Sequence, residues 1–145
     1  MPRVKLKPLD DYGYSTTLRV RTTDLNGANH LAAYNLVGML DEVYACFIRG
    51  LSLDKPGFGA ENLGSIHADL QVNYQGEGML HDELLVELGL REIGEKSFRV
   101  HYRVTSGQRP IGLAEIGVVC FDYLKKKPAA LPKVFLEAIA PYTSV

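Results

Sequence analysis

LAAYNLVGMLDEVYACFIRG, residues 31–50, contains no proline and repeats its apolar side chains at helical spacing. Leu36, Leu40, Val43 and Phe47 form one stripe, and Val37, Tyr44, Ile48 and Leu51 form a second beside it. Only Asn35, Asp41, Glu42 and Arg49 are clearly polar. The spacing predicts a helix of about five turns, roughly 28 Å long, with Asn29 as its N-cap and Gly50 as its stop. A helix that is apolar around most of its circumference belongs inside a protein, not on its surface. The rest of the chain must therefore wrap it.

The flanking sequence supplies strands. YSTTLRVRTTD (14–24) alternates, with Leu18 and Val20 on one face and Arg19 and Arg21 on the other. A loop rich in Gly and Pro follows the helix at 52–64, and four strand-like segments come after it. In 65–74, Ile66, Ala68, Leu70, Val72 and Tyr74 share a face opposite His67, Asp69, Gln71 and Asn73. In 83–93, Leu84, Val86, Leu88 and Leu90 face one way; in 96–105, Phe98, Val100, Tyr102 and Val104 do so. The segment 109–124 is apolar on both faces and reads as central or as packed at an interface. GEK and SGQR read as tight hairpins, residues 75–82 as a longer loop, and KVFLEAIAPY after Pro132 as a short terminal helix.

Strand, long buried helix, then four antiparallel strands is met by an α+β arrangement: a five-stranded antiparallel sheet curled around the helix, in one domain over 1–145. One sheet layer cannot enclose a helix completely. A second copy of the chain is expected to cover the rest, as a homodimer or a dimer of dimers.

Of the 145 residues, 46% are apolar and 23% charged, and the net charge is −1, which gives no basic field for nucleic acid. The N-terminal MPRVKLKPLDDYG has no apolar segment for a signal or a membrane span, so a cytoplasmic protein is expected. Cys46 and Cys120 are expected as buried free thiols in a reducing compartment. The run Lys125–Lys127 reads as a solvated strand end or as a phosphate contact. No G-x-S-x-G, no metal-ligand spacing and no phosphate-binding glycine loop is present.

Chemistry concentrates in RTTDLNGANH, residues 21–30, just ahead of the helix. If the pleat of the first strand continues, Asp24 and Asn26 point inward, where polar groups need partners or a task. A helix start carries unpaired N–H groups and partial positive charge, suited to an oxyanion. Asp24, Asn26 and His30 beside it suffice for acyl transfer or for proton abstraction next to a carbonyl. The plainer alternative is a capped helix, a closed turn and a satisfied rim histidine. His67, His81 and His101 read as surface residues, although His67 could reach a neighbouring subunit's cleft.

LRVRTTDLNGANHLAAYNLVGMLDEVYACFIRGL resembles the opening of the hotdog-fold acyl-CoA thioesterases of the 4-hydroxybenzoyl-CoA thioesterase type. That family commonly writes Arg-x-x-Asp-x-Asp-x-x-Gly-His-Val-Asn-Asn before a long helix. Arg21, Asp24 and His30 match it, and Asp41 falls where an acidic helix residue is frequent. LQVNYQGEGMLHDEL resembles the family's Tyr-x-x-Pro-x-x-x-Gly-Asp-x-Leu at Tyr74, Asp82 and Leu84, without its Pro and Gly. The likeness covers residues 15–124.

The resemblance implies hydrolysis of an acyl-CoA thioester, with coenzyme A as part of the substrate and no metal or redox cofactor. It implies that the helix start around Ala32 and Ala33 donates N–H to the thioester oxygen. The acyl chain would lie near Tyr34 and the subunit boundary, and the CoA phosphates near Lys96, Arg99 or the lysine run. The family's second acid, which carries catalysis, is replaced here by Asn26, and an amide is neither base nor nucleophile. Three readings follow. Asp24 takes the acid–base role while Asn26 orients thioester or water, which is preferred; or Asp41, Glu42 or Glu61 supplies the carboxylate; or the protein binds acyl-CoA without rapid hydrolysis. An (R)-specific enoyl-CoA hydratase, with its Asp-x-Asn-Pro-x-His motif, ranks lower because one residue is inserted before His30 and the Pro is missing.

Overall fold

In a computed structural model that describes residues 1–143, the long helix α1 (Ala33–Gly50) is the axis of the molecule. Its buried side chains Leu36, Met39, Leu40, Val43, Tyr44 and Phe47 face the concave side of one antiparallel sheet. The strands are β1 (Tyr14–Arg19), β2 (Leu63–Tyr74), β3 (Glu83–Arg91), β4 (Ser97–Ser106) and β5 (Arg109–Asp122), in the spatial order β1-β3-β4-β5-β2. A two-residue strand, β6 (Lys127–Pro128), adds to β5 and makes the sheet six-stranded. The inner faces supply Val86, Leu88, Val100, Tyr102, Ile116 and Val118, all buried against α1. The expected wrapped helix is thus the observed architecture.

Aromatic side chains close the wrap around the C-terminal half of α1. Residues 52–64 are not an open loop: a short segment kinked at Gly57 (φ 67°), α2 (Pro56–Gly59), places Phe58 in the core. There its ring meets Phe98 of β4 and Phe135 of the terminal helix α3 (Lys133–Ile139) at centroid distances of 6.1 and 4.5 Å. Tyr14 and Tyr142 pack edge-on against Phe47, at 5.3 and 5.0 Å. The Lys125–Lys127 run is exposed and carries the chain from β5 to β6.

Two local expectations are corrected. The helix begins at Ala33, and its N-cap is Ala32, with no side chain capping it; Asn29 instead holds a left-handed turn residue (φ 63°). At the other end the helix stops where expected, with Gly50 as its last residue. In β2 the alternation breaks: the register with β5 steps from His67↔Val118 to Asp69↔Gly117, leaving Ala68 as a bulge. An extra residue reverses which side chains point inward. Ser65 and His67 before the bulge, and Leu70, Val72 and Tyr74 after it, all lie on the helix side. His67 is therefore not on the wet face where strict alternation puts it.

Candidate active site

The chain leaves β1 and makes a 3-10 turn, Thr22–Asp24, then a tight excursion to Leu31 that closes as a small bridge, Leu25↔Leu31. The pleat does not run on through this segment. Asp24 nevertheless points inward and is 4% exposed, whereas Asn26 is exposed. Both Asp24 oxygens are occupied. Oδ2 accepts from the Arg21 backbone N–H at 2.8 Å and from its Nε at 3.1 Å, and Oδ1 accepts from Nη2 at 3.1 Å. The Arg21 side chain, followed by its backbone N–H, holds the Asp24 carboxyl below the usual carboxylate range against the opposing effect of burial. A carboxylate so occupied is a poor proton acceptor. Its carbonyl oxygen accepts from the Ala32 N–H at 2.9 Å, which fixes the helix start against the turn. In this arrangement Asp24 joins the Arg21 turn to the start of the helix.

Asn26 has a similar local task. Its Oδ1 accepts from the backbone N–H groups of Ala28 (2.9 Å) and His30 (3.3 Å), and its own N–H donates to the His30 carbonyl (2.9 Å). This is the Asx-turn geometry for which Asn is favoured in tight excursions.

What this scaffold presents is the first turn of α1. The Ala32 N–H is taken by Asp24, so Ala32 is not an oxyanion donor as expected. The next two amides, Ala33 and Tyr34, have no acceptor among the described residues. They sit at the positive end of an 18-residue helix. Tyr74 of β2 donates its hydroxyl to the Ala33 carbonyl (3.1 Å), and the Asn35 amide reaches the Thr23 carbonyl (3.4 Å), so the turn is braced from both sides. Residues 20–139 match the thioesterase-like superfamily.

The chain belongs to that superfamily.

The chain is similar to a 1,4-dihydroxy-2-naphthoyl-CoA hydrolase of Synechococcus elongatus, 27% identical over 85% of this chain and 90% of that protein. The corresponding hydrolase of Acaryochloris marina is 25% identical over 83% and 89%. Among solved structures, a 1,4-dihydroxy-2-naphthoyl-CoA thioesterase from Synechocystis superposes with a TM-score of 0.78 at 19% identity, covering 87% of this chain and 94% of its own. A gentisyl-coenzyme A thioesterase gives 0.77 at 17%, covering 88% and 100%. A Staphylococcus aureus protein solved with CoA gives 0.80 at 19%, covering 97% and 87%. The resemblance to hotdog acyl-CoA thioesterases, and with it the reading as a thioester hydrolase, is borne out.

The remaining predicted residues fall in two other places. Asp41 lies eight residues along α1 from Ala33, about 12 Å at the helical rise. Its Oδ1 is 3.3 Å from His67 Nδ1, and the His67 ring stands edge-on to Tyr44 at 5.1 Å. Tyr44, whose hydroxyl shares a 2.6 Å hydrogen bond with Ser65, has its phenol pushed well up by burial. Tyr34, 72% exposed, shares this flank of the helix with Asp41. Lys96 sits in the β3–β4 turn, at the far end of a nine-residue strand from the loop 75–82, about 30 Å away. Arg99 is on the outer sheet face among Asp69, Glu115 and Glu92, and Asp69 first, then Glu115, raises its pKa further. Within one chain neither cation meets the helix start. Glu42 contacts Cys46, and Glu61 pairs with Lys55 at 3.2 Å. Cys46 is half-buried and Cys120 buried, both free.

One neighbour was missed. Glu77, in the loop 75–82, brings its Oε1 to 3.6 Å from His30 Nε2. Sequence pattern gave no sign of it, because the two residues are 47 positions apart and joined only by the bridge His30↔Met79. On the other flank of α1, an open groove of about 570 Å³ has Leu18, Gly38 and Met39 as its floor and Arg19, Arg21 and Glu42 at its rim. Among the described residues no three His, Cys, Asp or Glu side chains cluster to hold a metal ion, and no helix is long and apolar enough to cross a membrane.

Proposed function

We propose that the protein hydrolyses an aryl-CoA or related acyl-CoA thioester, with the oxyanion held by the Ala33 and Tyr34 amides. The carrying observation is that these two N–H groups are open at the tip of a buried helix while Ala32, just before them, is pinned by Asp24. Two preorganised donors at a helix end stabilise the charge that develops when a thioester carbonyl becomes tetrahedral. Aryl substrates rank first because the relatives are named for naphthoyl-CoA and a protein of the same fold for gentisyl-CoA. Arg19, at the groove rim, is an exposed cation available to the CoA phosphates.

The working unit of the proposal is a homodimer joined along β2, in a reducing, cytoplasmic setting. β2 is a 12-residue edge strand whose only strand partner among the described residues is β5, although its Asn73 side chain holds the N-terminal segment at Val4 and Leu6, and a long edge with no backbone partner is a liability unless another strand covers it. Leu70 (46% exposed), Tyr74 (51%) and Tyr34 form an apolar surface beside that edge. Partner side chains there would complete the acyl pocket, and Asp41 and His67 would face it. The two free thiols accord with a reducing compartment.

A second reading, binding without turnover, is favoured by Asn26, which removes the family's usual carboxylate. A thiol-release assay over aryl-CoA and fatty acyl-CoA substrates separates the two. Turnover of at least one supports hydrolysis. Tight binding across the panel with no thiol released would replace this reading with the binding one.

A further inference from the structure

We infer that the proton acceptor displaced from position 26 is His30, oriented by Glu77, an assignment that rests on the hydrolytic reading above. Three observations converge on it. First, the other nearby acid is spent: Asp24 gives both oxygens to Arg21. Second, His30 lies three residues before Ala33, and among the described residues its Nδ1 has no hydrogen-bond partner, while Nε2 faces the Glu77 carboxylate at 3.6 Å. A carboxylate only accepts, so it selects the tautomer with hydrogen on Nε2 and leaves the Nδ1 lone pair free to take a proton. The 3.6 Å separation is longer than a hydrogen bond, and catalytic contacts are commonly loose before substrate arrives and tighten in the complex.

Third, the loop that carries Glu77 is fastened in place, although the Glu77 side chain itself is exposed. Arg109 Nη1 donates to the Glu77 carbonyl at 2.8 Å, and Nη2 donates to Asp82 Oδ2 at 2.6 Å. The same Asp82 oxygen accepts from the Met79 N–H at 2.9 Å. The Leu31 N–H donates to the Gly78 carbonyl at 2.7 Å, which ties this loop to the segment of His30. Gly78 is needed for that approach, since a Cβ there would stand 2.9 Å from the Leu31 Cβ. A backbone held at this many points fixes where the Glu77 side chain starts from.

The step balances within the residues named. Water adds through oxygen to the thioester carbon as its proton passes to His30 Nδ1. The carbonyl π pair moves to oxygen, facing the Ala33 and Tyr34 amides. Collapse re-forms the carbonyl and breaks the C–S bond, with the pair leaving on sulfur. The imidazolium returns its proton to that sulfur, giving free thiol and carboxylic acid. Glu77 stabilises the imidazolium in between and is a positioning residue, while His30 is the catalytic one.

The test measures steady-state thiol release by the full chain on its best acyl-CoA. His30→Ala should lower kcat by about 10²–10⁴-fold, with partial recovery in added imidazole. Glu77→Gln, an isosteric change at an exposed side chain, should lower kcat at least about tenfold, with KM and melting temperature near wild type and with Glu77→Asp partly restoring the rate. Asn26→Asp, which reinstates the missing carboxylate, should relieve the Glu77→Gln defect. Wild-type kcat in Glu77→Gln, or His30→Ala that stays folded and ignores imidazole, would overturn the inference and leave the hydrolytic reading standing. A wild type that releases no thiol from any substrate would overturn that reading itself, and the inference with it.

Discussion

At the scale of single residues, three carboxylates are held in their charged form by particular partners. Arg21 does this for Asp24, Arg99 for Asp69, and the Met79 N–H together with Arg109 for Asp82, and all three are lowered from the ordinary 3.8. The sign follows directly. The unfolded chain binds these protons more readily than the folded one, so their stabilisation is complete above 3.8 and is lost as the pH falls below it through each lowered value. Thermal melts between pH 7 and pH 2.5 should show that loss on the acid side. Asp24→Asn should lower the melting temperature most at neutral pH, with the gap to wild type narrowing on acidification; a pH-independent gap would mean that Asp24 acts through shape, not charge. Residue-level roles were the least legible part of the sequence. Asp24, Asn26 and His30 stood out by crowding before the helix, but their division of labour depends on Arg21 and Glu77, whose contacts no spacing rule encodes.

At the scale of elements, periodicity carried most of the information. The apolar stripes of α1 and the alternation in β1, β3 and β4 were readable because each element buries one continuous face. The helix boundary was misread for a physical reason: Asn29 has the right chemistry for an N-cap but is used in a left-handed turn, and Ala32, a poor capping residue, occupies the cap. β2 was misread because its bulge shifts the pattern at Ala68, so that His67, still solvent-exposed, lies on the helix side beside Asp41. The poor cap has a functional consequence. A capping side chain would consume an amide that the proposed reaction needs. Ala32→Ser should therefore stabilise the fold by about 0.5–2 kcal/mol in denaturant melts, while lowering kcat for thiol release. A variant gaining stability with no loss of rate would show that the cap amides are not used in catalysis.

At the scale of the whole molecule, a sheet curled around one helix leaves that helix open at its start and along the flank beside β2. The open start is where the proposed site lies, and the open flank is where a second copy is expected. Light scattering on the purified protein should give the mass of two 16.0 kDa chains or a multiple of two. Leu70→Glu, which would set two like charges together across a two-fold at β2, should shift the mass toward a single chain. A single-chain mass for the wild type would remove the partner from the acyl pocket. The whole arrangement converges on the amides of the first helical turn, and Ala33→Pro interrogates them most directly. Proline suits the first position of a helix, and Ala32 already has the extended backbone (φ −67°, ψ 143°) that a following proline requires, so the fold should survive the loss of one N–H. The expected result is a fall in kcat of about 10²–10³-fold with the melting temperature little changed. A folded Ala33→Pro protein that releases thiol at the wild-type rate would contradict the account.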